Sequence, residues 1–291
     1  MERGSIVKFV VLGKASTAKY NEKPEMNGFH AAIGDKLVSL KDEIDFVVMT
    51  GNNFLDRGVQ NCDDPQWEEV WFKHLRVKDL NVPWFTVLGE TDIRGNPSAQ
   101  YSFHKCTGKE EMSKYWVTPS TDYFLKINQN IRIFFLNTNN EDPTSIEGIS
   151  RGISETHPNI VIGHHPIHKS ALHEHMCSLQ SRSETPRETN LQTYICGHEP
   201  ILNHVVEDEK SRIVVGTSGG LLTWSYRDYT AINGTCSLGG TPTAPFNDKL
   251  YGFAVVTVAS NDDAKLVEFF TYHQRDNGIF YWEDSIRQVL Y

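Results

Sequence analysis

The side chains that could do chemistry fall in five short polar loops. They are Gly13-Lys14, Gly51-Asn52-Asn53, Gly89-Glu90-Thr91-Asp92, Gly163-His164-His165-Pro166 and Gly197-His198-Glu199-Pro200. A carboxylate grouped with imidazoles is a donor set for zinc or iron, whereas a carboxylate beside an ammonium forms an ion pair instead. Taken singly, each loop is a glycine turn with polar neighbours. Five of them opening into one crevice would make a site.

The elements before these loops give a reason to expect that convergence. Ile6–Leu12, Phe46–Thr50, Trp84–Leu88, Ile160–Ile162 and Thr193–Cys196 are short apolar runs that each stop at one of the five glycines. Ile33, Leu37, Leu40 and Ile44 recur at helical spacing between the first two runs. Trp67–Leu75 predicts a second helix, with Asp64 as cap, Pro65 in its first turn and the tryptophans facing the core. Alternating strand and helix predicts a largely parallel sheet, whose ligand site lies beyond the carboxyl ends of its strands. Tyr123–Ile127 and Ile131–Leu136 read as a hairpin. Ile213–Val215, Phe253–Val258 and Leu266–Tyr272 read as a β-rich tail, and residues 1–291 as a single domain.

Of the 291 residues, 39% are hydrophobic and 22% charged, which suffices for a core and excludes disorder by composition. A formal net charge of −9 argues against nucleic acid, whose binding needs a positive face. No apolar run reaches the ~18–20 residues of a membrane-spanning helix. Cys62, Cys106, Cys177, Cys196 and Cys236 are odd in number and lack zinc-ribbon spacing. They read as mostly reduced thiols in an intracellular, cytosol-like compartment, the alternative being a secreted or lumenal protein whose leader has been removed. The sequon Asn233-Gly234-Thr235 bears only on that alternative.

At the five loops the chain resembles the purple acid phosphatases, especially the small tartrate-resistant type, within the calcineurin-like metallophosphoesterases. Phe46-Val47-Val48-Met49-Thr50-Gly51-Asn52-Asn53-Phe54, Gly58-Val59-Gln60, Val82-Pro83-Trp84-Phe85, Ser98-Ala99-Gln100 and Gly216-Thr217-Ser218-Gly219-Gly220 extend the likeness. The resemblance implies a four-layer α-β-β-α sandwich, with two mixed β-sheets flanked by helices. It also implies two adjacent metal ions that bind phosphate and generate a hydroxide. The ligands do not carry over. Lys14 stands for the first Asp, Asn52 for the bridging Asp, Leu55 for the iron-ligating Tyr, and Pro200 for the second His of Gly-His-x-His. In the family's Gly-Asn-His-Asp, Glu90 stands for the metal-binding Asn and Thr91 for the catalytic His. His164 and His198 are kept.

This pattern predicts a pseudophosphatase without catalytic residues or cofactor, used as a structural subunit of a larger assembly. The alternative is a phosphoesterase or phosphate-binding protein with a single zinc or iron ion on Glu90, His164 and His198, with Asn52 as a weak fourth ligand. In the metal-free form Lys14 is expected to pair with Glu90. His165, His168, His173 and His175 read as solvated or locally hydrogen-bonded loop residues. The resemblance also implies a disulfide with Cys177 as one half, for which no second half is found. Glu141–Pro158 is shorter than the family's crossover and carries Ile146, Ile149 and Ile153 at helical spacing. With the His165–His175 loop it is the expected docking face for other protein subunits.

Overall fold

Alternate side chains of a strand point to opposite faces, so a strand buried on both faces must be apolar at nearly every position. Ile6–Leu12 meets that demand. Val7, Phe9 and Val11 pack into a core between two sheets, while Val10 and Leu12 pack under helices on the other side. The structure, a computed structural model, describes residues 6–15, 24–54, 57–127, 131–139, 159–166, 192–207, 210–219, 243–248, 251–259, 265–274 and 280–290.

The strands are β1 (Ile6–Leu12), β2 (Phe46–Met49), β3 (Trp84–Thr86), β4 (Trp116–Val117), β5 (Tyr123–Lys126), β6 (Arg132–Phe135) and β7 (Asn159–Ile162). They continue as β8 (Thr193–Cys196), β9 (Leu202–Glu207), β10 (Lys210–Val215), β11 (Thr243–Asp248), β12 (Tyr251–Ala259), β13 (Lys265–Gln274) and β14 (Phe280–Leu290). One sheet has the order β14-β13-β12-β1-β2-β3-β4 and the other β11-β9-β10-β8-β7-β6-β5. Both are mixed: β1, β2, β3 and β4 run parallel, as do β6, β7, β8 and β10, with antiparallel strands completing each sheet. The expected architecture of two mixed sheets with flanking helices is therefore the observed one.

Three apolar layers follow from this stacking. The middle layer joins Phe9, Val48 and Val256 of one sheet to Ile133, Ile162, Ile195 and Val215 of the other. On the outer face of the first sheet, Ile33 and Leu37 of helix α1 (Pro24–Ser39) with Trp67, Trp71 and Phe103 pack with the strand residues Val10, Val47, Trp84, Trp116 and Val255. The Trp67–Lys73 helix is widened to π-type turns, and its two tryptophans are core residues, as their spacing predicts. Outside the second sheet, Phe134, Val161, Tyr194 and Val214 form a third cluster.

The cysteine reading needs correction. Cys62 and Cys106 form a disulfide, and of the cysteines among the described residues only buried Cys196 is a free thiol. Forty-four positions separate the pair, so no spacing motif marks it; packing of the two loops brings the sulfurs together. Cys177, Cys236, Asn233, Leu55 and the segment Glu141–Pro158 lie outside the described residues. No helix among the described residues is long and apolar enough to cross a membrane.

One side chain ties the sheets together at an edge. The Tyr123 hydroxyl of β5 accepts the Thr86 N–H of β3 at 2.9 Å and donates to the Thr86 carbonyl at 2.8 Å, with the Val117 carbonyl of β4 at 3.3 Å. Tyr123→Phe leaves these edge groups without their partner. It should lower stability by about 1–3 kcal/mol in urea unfolding, with the m-value unchanged.

Candidate functional site

The five strand ends meet as the sequence predicts, and hydrogen bonds hold their loops together. The Lys14 N–H reaches the Gly51 carbonyl at 3.3 Å, and the Gly197 N–H reaches that of His164 at 3.0 Å. Ser218 bridges the back of the first loop, its hydroxyl accepting the Gly13 N–H at 3.1 Å and donating to the Gly252 carbonyl at 2.8 Å. The Gly216–Gly219 stretch therefore buttresses the site from behind, a role that its glycines and hydroxyls alone do not specify.

Three site residues, Lys14 (φ 53°), Asn52 (φ 54°) and His198 (φ 62°), sit in the left-handed region. That conformation costs a non-glycine residue about 1–3 kcal/mol and persists only where its surroundings impose it. Gly51 has a φ of 93°, and a Cβ on Gly89 would come within 2.2 Å of the Asn52 Oδ1 atom. Both glycines are required for the loops to approach this closely.

Asp92 locks the second and third loops together. It is fully buried, and its Oδ2 accepts the N–H groups of Gly89 at 2.9 Å and Asn53 at 3.0 Å. Its Oδ1 accepts the Phe54 N–H at 3.1 Å and the Gln100 amide at 3.0 Å. Burial pushes the Asp92 carboxyl up, and the four donors pull against that shift.

On this frame the Glu90 carboxylate is gripped from several directions. Asn52 Nδ2 donates to Oε1 at 2.7 Å, His164 Nε2 to Oε2 at 2.5 Å, and His198 Nδ1 lies 3.3 Å from Oε2. Burial pushes Glu90 up, but the hydrogen bonds and charges of His164 and His198 together outweigh it and hold the carboxyl well below the usual carboxylate range. His164 is wholly buried, and its Nδ1 faces the Thr50 carbonyl at 2.7 Å. Its Nε2 faces both Glu90 Oε2 at 2.5 Å and His198 Nδ1 at 3.3 Å. A ring nitrogen anchored on a backbone carbonyl is also how metal-bound imidazoles are oriented.

The expected Lys14–Glu90 pair is corrected by this geometry. Lys14 is close enough for attraction to Glu90 to favour its charge, although burial dominates and pushes the ammonium down. No ion pair or hydrogen bond joins the two, because the imidazoles and Asn52 hold the carboxylate. Thr91, at the position of the family's general acid, is buried with its hydroxyl between Asn52 Oδ1 at 3.0 Å and the Phe54 carbonyl at 3.1 Å. Pro200 is half-buried and has no ligating side-chain atom.

His165 belongs to the site, which corrects its assignment to the loop. One ligand atom from each of Glu90, His164, His165 and His198 lies within 4.8 Å of the others. The Thr138 hydroxyl accepts the N–H groups of His164 at 3.1 Å and His165 at 2.9 Å, so its own proton points to His165 Nδ1 at 3.0 Å. Burial, then the neighbouring His164 and His198, push the His165 imidazole down to about 3. Its signal in the sequence was adjacency to His164 at a strand end. His168, His173 and His175 lie outside the described residues.

The donor sets decide what fits. Two metal ions do not fit, because Lys14, Asn52 and Pro200 supply no anionic or imidazole ligand for the first ion, and Asn52 supplies no bridging carboxylate. A single ion suits the remaining set. The Glu90–His198 and His164–His198 contacts of 3.3 Å match the edge of a tetrahedron with bonds of ~2.0 Å, whereas Glu90 and His164, 2.5 Å apart, would have to separate by ~0.8 Å to ligate the same ion.

Comparisons with known proteins agree with this fold. The family model described as calcineurin-like phosphoesterase matches residues 27–202, more than half of the chain. The chain belongs to the calcineurin-like phosphoesterase family. Among its curated relatives, purple acid phosphatase 3 of Arabidopsis thaliana is 25% identical, with 98% of this chain and 79% of that protein covered. Human tartrate-resistant acid phosphatase type 5 is 26% identical, over 75% of this chain and 73% of that protein. Two solved structures share the fold. GAP50, described as the anchor in the inner membrane complex of Plasmodium, superposes with a TM-score of 0.68 at 18% identity, covering 97% of this chain and 89% of that one. The yellow lupin purple acid phosphatase PPD1 gives 0.62 at 15% identity, covering 98% of this chain but 54% of that one.

Two outcomes follow from the carboxylates. Asp92→Asn turns an amide N–H₂ toward two N–H donors and should cost about 3 kcal/mol in urea unfolding. Because folding depresses the pKa of Glu90, its contribution to stability is complete above the unfolded value of ~4.5 and is lost as pH falls toward the folded value. Between pH 4.5 and 3, Glu90→Gln should therefore lose stability less steeply than the natural chain. Parallel slopes would show that Glu90 titrates normally.

Proposed function

We propose that the chain is a non-hydrolytic member of its family that serves as a structural subunit of a protein assembly. The observation that carries this reading is the exchange of charges across the site. An ammonium, Lys14, stands at the first-metal position, and the acid and amide of the second and third motifs have changed places as Asn52 and Glu90. At an effective dielectric near 20, an ammonium 4 Å from a univalent cation opposes it by about 4 kcal/mol, and a divalent ion by more. Without two ions there is no metal-bound hydroxide held between them, and without an imidazole at position 91 there is no general acid for the leaving group. The anchor role described for GAP50 is the kind of role proposed for this chain. Glu141–Pro158 remains the proposed docking segment.

A second reading is supported by the compact donor set of Glu90, His164, His165 and His198. One zinc or iron ion there would supply Lewis acidity for binding an anion such as phosphate, with His164 oriented by Thr50. Hydrolysis still lacks a proton donor at Thr91.

The full chain, assayed on a generic phosphomonoester with added iron, zinc or manganese, should show no turnover above background. Metal-dependent turnover that disappears in His164→Ala would overturn the non-hydrolytic reading. Elemental analysis of the same preparation separates the two readings, since one tightly held ion per chain supports the second and none supports the first.

A further inference from the structure

The disulfide lies close to the site loops and is surrounded by other links between the same two segments. Cys62 is eight residues beyond Phe54, and Cys106 is fourteen beyond Asp92. Between the sulfurs and the site, Asn96 donates from its backbone to the Val59 carbonyl at 3.0 Å and from its side chain to that of Gln60 at 2.9 Å. On the far side, Lys109 and Asp63 pair at 3.4 Å. Cys106 is 5% exposed and, with Cys62, packs on the core that holds Trp67 stacked 3.6 Å from Phe103. The seam runs from the Asp92 carboxylate to the disulfide, joining the segments that carry Asn52 and Glu90.

In this family those segments are joined at their tips by metal ions. Here the tips carry Asn52 and Glu90 without a bridging carboxylate, and the covalent link lies at the base of the loops. We infer that Cys62–Cys106 is a permanent staple closed in an oxidising compartment, and that it keeps the second and third site loops in register. Closure is thiol–disulfide exchange with a protein or glutathione disulfide. The two cysteine thiols give up two protons and two electrons, one S–S bond forms, and the partner disulfide is reduced to two thiols. Such links persist in secretory and other oxidising compartments and are rare in the cytosol. Core burial of Cys106 leaves the half-buried Cys62 sulfur as the approach for a reductant. The inference is independent of whether the site binds a metal.

The test has two arms. Cells that naturally make the protein are quenched in acid and treated with N-ethylmaleimide, and the full chain is digested without reductant. Peptides joined through Cys62 and Cys106, with neither residue labelled in most molecules, are expected; maleimide on both cysteines would overturn the oxidising compartment. In the second arm, Cys62→Ser/Cys106→Ser is compared with the natural chain, and natural chain reduced after folding serves in case the variant does not fold. Closing a 44-position loop predicts a Tm roughly 6–7 °C lower without the staple. Amide exchange at residues 51–54 and 89–92 should also be at least ~10-fold faster, while central amides of β12 and β13 change less. An unchanged Tm with unchanged exchange in those loops would overturn the staple.

Discussion

A carboxylate withdrawn from water costs several kcal/mol unless donors meet both its oxygens. Asp92 meets that condition with four donors drawn from Gly89, Asn53, Phe54 and Gln100. The bonds fix the turn at the end of β2 against the turn at the end of β3, and the remaining contacts of the site follow from that alignment. Asn52 is placed with its amide toward Glu90 and its carbonyl toward the Thr91 N–H. Glu90 in turn lies where His164 and His198 can reach it. The left-handed conformation of Asn52 is held by the same set of bonds.

A two-metal phosphoesterase needs several carboxylates gathered round four positive charges. Here one carboxylate, two imidazoles in direct contact and a nearby ammonium occupy that space. The exchange of acid and amide between positions 52 and 90 keeps one of each, which preserves most of the second ion's donor set. It removes the oxygen that would bridge to the first ion. Lys14 lies near enough to Glu90 for the carboxylate to favour its charge. These substitutions are coherent with one another, since a carboxylate restored at position 52 alone would face Glu90 without a cation between them.

Much of this was legible in the sequence, for identifiable reasons. Strands buried on both faces demand unbroken apolar runs, so β1, β2, β7 and β8 could be read almost to the residue. Their glycine ends marked the loops, and the family likeness of those loops fixed the architecture. Strands with weaker patterns, such as β9 and β11, were not read, because pairing with neighbours rather than composition makes them strands. The disulfide was misread because its partners are distant in sequence and meet only once the Trp67–Phe103 core has formed. Charge alone suggests a direct Lys14–Glu90 pair, while the geometry gives the carboxylate to Asn52 and the imidazoles. No motif assigns His165 a role, and its place beside Glu90, His164 and His198 follows from the packing of the strand ends.

The proposed non-hydrolytic role requires that two cations find no place at the site. Anomalous diffraction from crystals of the full chain grown with zinc and iron measures this directly. At most one peak is expected, bounded by Glu90, His164, His165 and His198, with no density for an ion beside Lys14. Two full peaks about 3.5–4 Å apart, one of them at the Lys14 position, would contradict it.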